Sequence, residues 1–160
     1  MNVFVTGSSG FIGSRLVSTL SCLDDFRVTP ISRITLEWLT MDSKTNSRDD
    51  EIRAWFKSYG NHNVIIHSAG MAHQSKAPRA GLAKEFMRVN VTLTANLAKY
   101  AALSGVSRFI FLSSIGVNGN EKSGPLTPQD VPDPQDDYAK SKWDAERILW
   151  GIQQATGMEI

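Results

Sequence analysis

Two side chains with complementary acid–base chemistry, Tyr138 and Lys142, lie four residues apart in a segment with helical spacing of its apolar residues. Residues four apart on a helix share one face, so the phenol and the ammonium are predicted to be neighbours. A phenol with a pKa near ~10 is a poor base at neutral pH, but nearby positive charge favours its phenolate. The pair therefore predicts a general base that takes a proton from a substrate hydroxyl.

A pair of serines, Ser113 and Ser114, ends an apolar run that precedes the tyrosine. Taken alone, the pair fits a strand end whose last backbone groups are hydrogen-bonded by hydroxyls. Residues 115–136, which follow, hold four of the six prolines. A long irregular segment of this kind in a compact domain is usually functional or disordered, and here it predicts a loop folded over a pocket.

Three glycines, Gly7, Gly10 and Gly13, form a G-x-x-G-x-x-G loop directly after the apolar run 2–6. A stretch with helical spacing follows. Glycines at this junction permit a tight turn, a close approach of backbone N–H groups to a pyrophosphate and close packing of helix on strand. The loop therefore predicts a dinucleotide site.

The residues after the second apolar run, Ser32 and Arg33, stand where a carboxylate usually binds the adenosine ribose of NAD. An arginine here is suited to the 2′-phosphate of NADP or to stacking on adenine, and a solvated loop arginine is the third interpretation. Asp42 is placed to accept a hydrogen bond from the adenine amino group, or to cap a helix or turn.

The elements that position these residues alternate between strands and helices. Apolar runs predict strands at 2–6, 27–31, 63–67 and 108–112, with a weaker strand at 36–41. Helical spacing predicts helices at 11–21, 49–59, 81–104 and 137–155. The alternation predicts an α/β fold, a Rossmann-type doubly wound parallel sheet in a three-layer α/β/α arrangement. Residues 157–160 have the pattern of a further strand that the sequence does not finish.

Composition excludes several classes of protein. The chain has 160 residues, 41% of them hydrophobic, and a formal net charge of +1. A near-neutral charge argues against general electrostatic binding to nucleic acid or to an anionic membrane, and no apolar run is long enough to span a bilayer. The single cysteine and the absence of a signal-peptide pattern predict a cytoplasmic location. No cluster has metal-ligand spacing, so no metal is predicted.

Together these motifs resemble those of the extended short-chain dehydrogenases/reductases. Within that group they are most similar to the motifs of the NAD-dependent epimerase/dehydratase family, which acts on nucleotide sugars. The glycine loop is similar to the family's opening fingerprint, and 64–70 to its fourth strand and following turn. Asn90 stands where the family carries an asparagine near the cofactor, Ser114 aligns with its catalytic serine, and 138–142 matches its tyrosine and lysine motif.

This resemblance implies roles for individual residues. Tyr138 would be the general base and acid, Lys142 would bind the nicotinamide ribose and lower the pKa of the tyrosine, and Ser114 would hydrogen-bond the reacting oxygen. The implied cofactor site comprises Gly7, Ser9, Gly10, Phe11, Ile12, Gly13, Ser32, Arg33, Asp42, Ser68, Ala69, Gly70, Asn90, Tyr138 and Lys142. Residues 1–160 would form the NAD(P)-binding Rossmann domain, with the substrate-binding C-terminal region absent from this chain, so that the chain alone turns over little.

Two residues depart from the family pattern: Asn118 replaces a usual tyrosine, and the Ser32-Arg33 pair replaces a common acidic residue. The asparagine variant, with the proline-rich stretch that ends in Pro134 and Asp137-Tyr138, resembles a bacterial subgroup of UDP-glucose 4-epimerases and keto-sugar reductases of surface-polysaccharide synthesis. The implied function is NAD-dependent C4 epimerisation of a UDP-hexose. The alternatives are an NAD(P)H-dependent keto-sugar reductase or dehydratase and a non-catalytic NAD(P)-binding regulator.

Three further predictions concern histidine and tryptophan. His67, at the end of an apolar strand, is interpreted as a packed rather than a catalytic histidine, and His73 as a weak candidate for substrate contact. Trp143 and Trp150 are seven residues apart. The resemblance implies a homodimer formed through helices 81–104 and 137–155, and burial within the monomer explains the same spacing equally well.

Overall fold

The computed structural model describes residues 1–40, 46–58, 63–72, 81–119 and 124–160. Within these ranges four strands form one parallel sheet: β1 (Asn2–Thr6), β2 (Arg27–Ile31), β3 (Asn63–His67) and β4 (Arg108–Phe111). Their order across the sheet is β2-β1-β3-β4. The four stronger strand predictions are thereby confirmed.

In the described part of the chain, six α-helices connect and flank the strands. They are α1 (Phe11–Leu20), α2 (Arg33–Thr40), α3 (Asn46–Lys57), α4 (Leu82–Phe86), α5 (Leu93–Leu103) and α6 (Asp137–Thr156). A π-helical turn, Met87–Thr92, joins α4 to α5, so the predicted long helix is interrupted in its middle. A short 3₁₀ helix, Ile115–Asn118, follows β4. Glu159 extends the sheet by a parallel bridge to Arg108.

The weak strand predicted at 36–41 is wrong over the residues described there, because they belong to helix α2, which extends to Thr40. Ser32 begins the helix: the backbone N–H of Thr35 donates to the Ser32 hydroxyl at 3.1 Å, as at a helix N-cap. Leu36 is buried and Trp38 packs against the core, while Ile34 is exposed. An apolar face at helical spacing, together with the serine cap, therefore outweighs the β propensity of the short segment.

The main core lies between the sheet and helices α2, α3, α5 and α6. Three of its strand residues, Phe4, Ile65 and Phe109, are register partners in one row across the sheet. The alternate strand residues, such as Val3 and Val64, face away from this core because strand side chains alternate between the two faces. Right-handed crossovers place α1 on that second face, where it contacts β1 and β2. The fold is the predicted Rossmann-type α/β sheet.

Candidate cofactor and catalytic site

The glycine loop packs against its neighbours with no space for side chains. A Cβ atom on Gly13 would lie 2.1 Å from the carbonyl oxygen of Gly7, and one on Gly7 would lie 2.6 Å from the backbone nitrogen of Ala69. Gly7 also has φ +66°, in the left-handed region that glycine adopts without strain. The end of β1, the start of α1 and the turn after β3 therefore meet at close backbone contact.

This packing leaves the N-terminus of α1 open. Gly10 is the N-cap, and among the residues that the structure describes no side-chain hydrogen bond caps the helix. Ser9 is exposed, Phe11 is 96% exposed and Ile12 is exposed beside it. Unpaired N–H groups and the positive end of the helix dipole favour an anion. Residues 7–13 with this open helix N-terminus, the glycine cradle, thus fit the pyrophosphate of a dinucleotide.

The turn after β3 is fixed beside this cradle by hydrogen bonds to Thr6. The Ser68 hydroxyl donates to the Thr6 carbonyl at 2.6 Å, and the Ala69 N–H donates to the Thr6 hydroxyl at 3.2 Å. Gly70 follows, where an added Cβ would lie 3.3 Å from the side-chain oxygen of Asn90. Ser68, Ala69 and Gly70, predicted at the cofactor site, therefore adjoin the glycine loop.

His67 lies in a hydrogen-bonded chain that fixes its tautomer. Thr94 donates its hydroxyl proton to the Asn90 carbonyl at 2.8 Å, so it accepts from His67 Nε2–H at 2.9 Å. His67 Nδ1 consequently accepts from the Thr6 hydroxyl at 2.6 Å. Complete burial, reinforced by the charge of Lys142, lowers the pKa of His67 to about 3. The prediction that His67 is a packed histidine is confirmed, because its side chain is fully buried.

Asn90 lies in the π-helical turn and connects two parts of the site. Its side-chain oxygen accepts from Met71 N–H at 2.8 Å, and its side-chain nitrogen donates to the Met71 carbonyl at 2.9 Å and to Ser141 Oγ at 3.0 Å. Ser141 in turn donates to the Tyr138 carbonyl at 2.7 Å. Asn90, 1% exposed, therefore joins the turn after β3 to the first turns of α6.

Ser114 is the N-cap of the 3₁₀ helix after β4. Its hydroxyl accepts from the Gly116 N–H at 3.2 Å. A Cβ on Gly116 would lie 3.4 Å from Ser114 Oγ and 3.5 Å from Ala139 Cβ, so the serine and α6 adjoin the same glycine. The loop that leads to α6 is held here as well, because the Asp133 N–H donates to the Val117 carbonyl at 2.9 Å.

Tyr138 and Lys142 both project from α6, one turn apart. Asp136 caps this helix by accepting the Ala139 N–H at 2.7 Å, which places the tyrosine in its first turn. The Tyr138 ring packs on Phe86, with ring centroids 5.9 Å apart. Lys142 is 4% exposed, and its Nζ lies 3.8 Å from the centroid of the Phe111 ring. Burial lowers the pKa of Lys142 to about 8, although the charge of Glu146 opposes this shift.

Comparisons with known proteins identify the family. The model of the NAD dependent epimerase/dehydratase family matches residues 3–160. The chain belongs to this family. A UDP-glucose 4-epimerase of Vibrio cholerae is 34% identical over 164 residues, which cover 99% of this chain and 49% of that protein. The chain thus spans about half the length of the curated relatives that it matches.

Solved structures of similar fold agree with this assignment. UDP-glucuronic acid 4-epimerase from Bacillus cereus, solved with UDP-glucuronic acid and NAD, has a TM-score of 0.77 at 21% identity. This match covers 99% of the chain and 54% of that structure, and it establishes the fold. MoeE5, solved with UDP-glucose and NAD, has a TM-score of 0.71 at 26% identity and covers 95% and 49% of the two chains.

Most of the residues that sequence reasoning singled out lie at the carboxyl ends of β1, β3 and β4 or at the start of α6. Arg33 is the first residue of α2, after the end of β2, and the capping serine Ser32 has its hydroxyl 3.0 Å from that of Thr35. Asp42 and His73 lie outside the described residues. Their predicted contacts with adenine and substrate stay predictions.

Sequence reasoning missed several residues that hold this site together, among them Thr6, Phe111 and Glu146. Glu146 accepts a short hydrogen bond from Ser113, and it lies four residues after Lys142, a spacing that could have revealed it. Thr6 and Phe111 are strand-end residues whose partners lie on other elements, so no local spacing marks them.

Two findings limit the chemistry of the described ranges. No three of their histidine, cysteine, aspartate and glutamate side chains cluster closely enough to hold a metal ion. None of the helices in the same ranges is long and apolar enough to cross a membrane.

Proposed function

We propose that this chain is the NAD-binding part of a nucleotide-sugar C4 epimerase acting on a UDP-hexose. One observation carries the proposal: the glycine cradle, Ser114 and the Tyr138–Lys142 pair occur together at the carboxyl end of one parallel sheet. Ligands bind at this edge in open α/β sheets. The relative from Vibrio cholerae, a UDP-glucose 4-epimerase, supports the choice of substrate class.

The chain's own residues have distinct tasks in this reaction. Tyr138 as phenolate takes the proton of the C4 hydroxyl and later returns it, while Ser114 hydrogen-bonds the same oxygen. The Lys142 ammonium stabilises the phenolate and binds ribose hydroxyls. NAD, when bound, supplies the hydride chemistry at C4, and the glycine cradle holds its pyrophosphate.

The proposal also assigns cofactor binding and substrate binding to different parts of the full-length protein. Residues 1–160 would form the cofactor domain, and the second half of the relatives' length would carry the contacts to the sugar and the nucleotide. We expect the chain alone to bind NAD and to turn over little or no UDP-hexose. A homodimer through helices 81–104 and 137–155, where Trp150 is exposed, and a cytoplasmic location stay predictions.

The decisive experiment uses a protein in which this chain is joined to its C-terminal region. Such a protein, supplied with UDP-glucose carrying deuterium at C4, should yield UDP-galactose that keeps the deuterium, because the same hydride returns to the sugar. Tyr138→Phe should abolish turnover while NAD binding persists. Loss of the deuterium, or full activity of Tyr138→Phe, would contradict the proposal. Intact biological activity without turnover would favour a regulator.

A keto-sugar reductase that uses NADPH is the second candidate, and Arg33 is the observation that favours it. Arg33 is exposed at the N-terminus of α2, where both its guanidinium and the helix dipole attract a phosphate. Calorimetric titration of the chain with NAD and NADP separates the candidates. If Arg33 binds the 2′-phosphate, Arg33→Ala weakens NADP binding and spares NAD, while the remote control Arg147→Ala changes neither.

A further inference from the structure

The ammonium of Lys142 lies over an aromatic ring that no functional role yet explains. Its Nζ is 3.8 Å from the centroid of Phe111, and the lysine is 4% exposed. Removing an ammonium from water is costly unless another group stabilises the charge. The face of an aromatic ring attracts a cation, and the attraction strengthens where water is excluded.

Phe111 is itself held in place by its neighbour on the sheet. It is the register partner of His67, and the two rings are 18° from parallel with centroids 5.9 Å apart. His67 cannot rotate freely, because Thr6 and Thr94 hydrogen-bond its two ring nitrogens. The Phe111 ring near Lys142 therefore packs against the buried His67 ring, which its two hydrogen bonds hold in place.

The charges around the ammonium are compatible with this position. Burial keeps the pKa of His67 low, so its neutral ring does not repel the Lys142 ammonium. Glu146, one turn further along α6, attracts the ammonium and is itself bonded to Ser113. The ring and the carboxylate thus act on Lys142 from two different elements, β4 and α6.

We propose that Phe111 is a positioning residue that fixes the Lys142 ammonium for the ribose of the bound cofactor. The inference rests on the proposed function, since only a cofactor gives the lysine a ribose to bind. Phe111 touches neither substrate nor cofactor in this scheme and acts through the lysine. Without the ring, the ammonium would occupy several positions, and cofactor binding would have to restrict it.

The first test needs no cofactor. In the chain with isotope-labelled lysine, assigned with the Lys142→Met variant, the ε-methylene protons of Lys142 should resonate upfield of those of the other lysines, because they are bonded next to an Nζ that lies over a ring face. Phe111→Leu should remove this shift and Phe111→Tyr should keep it. A Lys142 signal without the shift in the unmodified chain overturns the proposal even if Phe111→Leu fails to fold.

The second test measures NAD affinity of the same variants by calorimetry. Phe111→Leu should weaken binding by roughly five- to thirtyfold, the range of a cation–π contact in a desolvated place. Phe111→Tyr should bind NAD as tightly as the unmodified chain. The matched control Phe26→Leu, before β2, should also leave the NAD affinity unchanged. Equal affinity of Phe111→Leu and the unmodified chain overturns the positioning role. No NAD binding by the unmodified chain refutes the cofactor site itself, a result distinct from equal affinities.

Discussion

Replacing Gly13 by alanine tests the glycine cradle, because the effect can be worked out from the backbone. The added Cβ would lie 2.1 Å from the carbonyl oxygen of Gly7, 2.6 Å from its carbonyl carbon and 2.8 Å from Ser68 Oγ. Two of these three atoms belong to backbone, so no side-chain rotation relieves the contact. Overpacking of this kind costs about 3 kcal/mol, the upper end of its usual range.

A helix preference acts in the opposite direction. Gly13 lies in α1, and alanine in a helix interior is favoured over glycine by about 1 kcal/mol. The free energy of unfolding should therefore fall by about 2 kcal/mol. For a domain of this length the melting temperature should fall by about 4–8 °C. Affinity for NAD should also fall, since α1 and the Gly7 turn are forced apart.

Gly151→Ala is the matched control for this prediction. Gly151 also lies inside a helix, α6, but a Cβ there would meet no described atom within 4 Å beyond the backbone of its own helix. Only the helix preference remains, so this variant should gain about 1 kcal/mol. Urea unfolding followed by circular dichroism gives both values. If Gly13→Ala is as stable as Gly151→Ala, the close contact of α1 with the Gly7 turn is wrong.

Three further predictions concern the buried polar groups. Thr94→Val should lower the free energy of unfolding by about 1–3 kcal/mol, since His67 Nε2–H loses its acceptor, whereas the exposed Thr19→Val should be nearly neutral in urea unfolding. The pKa of His67 is lower in the folded than in the unfolded chain, so the unfolded chain binds more protons between about pH 6.5 and 3. As the pH falls through this window, the free energy of unfolding should decrease by up to about 1.4 kcal/mol per pH unit in an acid titration. His67→Gln should lack this contribution. The pKa of Lys142 is also lowered, to about 8 from 10.5, so the unmodified chain should gain stability relative to Lys142→Met as the pH rises from 8 to 10.5. Urea unfolding at several pH values measures the difference in stability between the two proteins. A difference that does not change with pH would show that the ammonium is not buried.

The sequence predicted elements with a strong local pattern. The continuous apolar strands, the glycine loop and the Tyr138–Lys142 spacing each depend on residues close together in the chain. The strand prediction for 36–41 was wrong because a short apolar run fits either a strand or a helix. The helix cap at Ser32 decides between the two. Helix α3 likewise begins earlier than predicted, at Asn46.

The polar links within the site lay beyond local pattern. Thr6 and His67 are 61 residues apart, and Asn90 and Ser141 are 51 residues apart. Such partners become visible only when the strand order is known, because the sheet brings the ends of β1, β3 and β4 side by side. The motif places Tyr138 and Lys142 on one helix, but only the folded sheet reveals that Phe111 lies under the lysine.

The π-helical turn at Met87–Thr92 makes the register of the helical residues around it depend on the number of residues in the turn. A residue inserted into or removed from an α-helix rotates everything beyond it by about 100°. With the wider turn, Phe86 on one side and Leu97 on the other are both buried. Deleting one residue there would turn one half of the helix away from its neighbours, even with every side chain type unchanged. Length in this segment is therefore as constrained as composition.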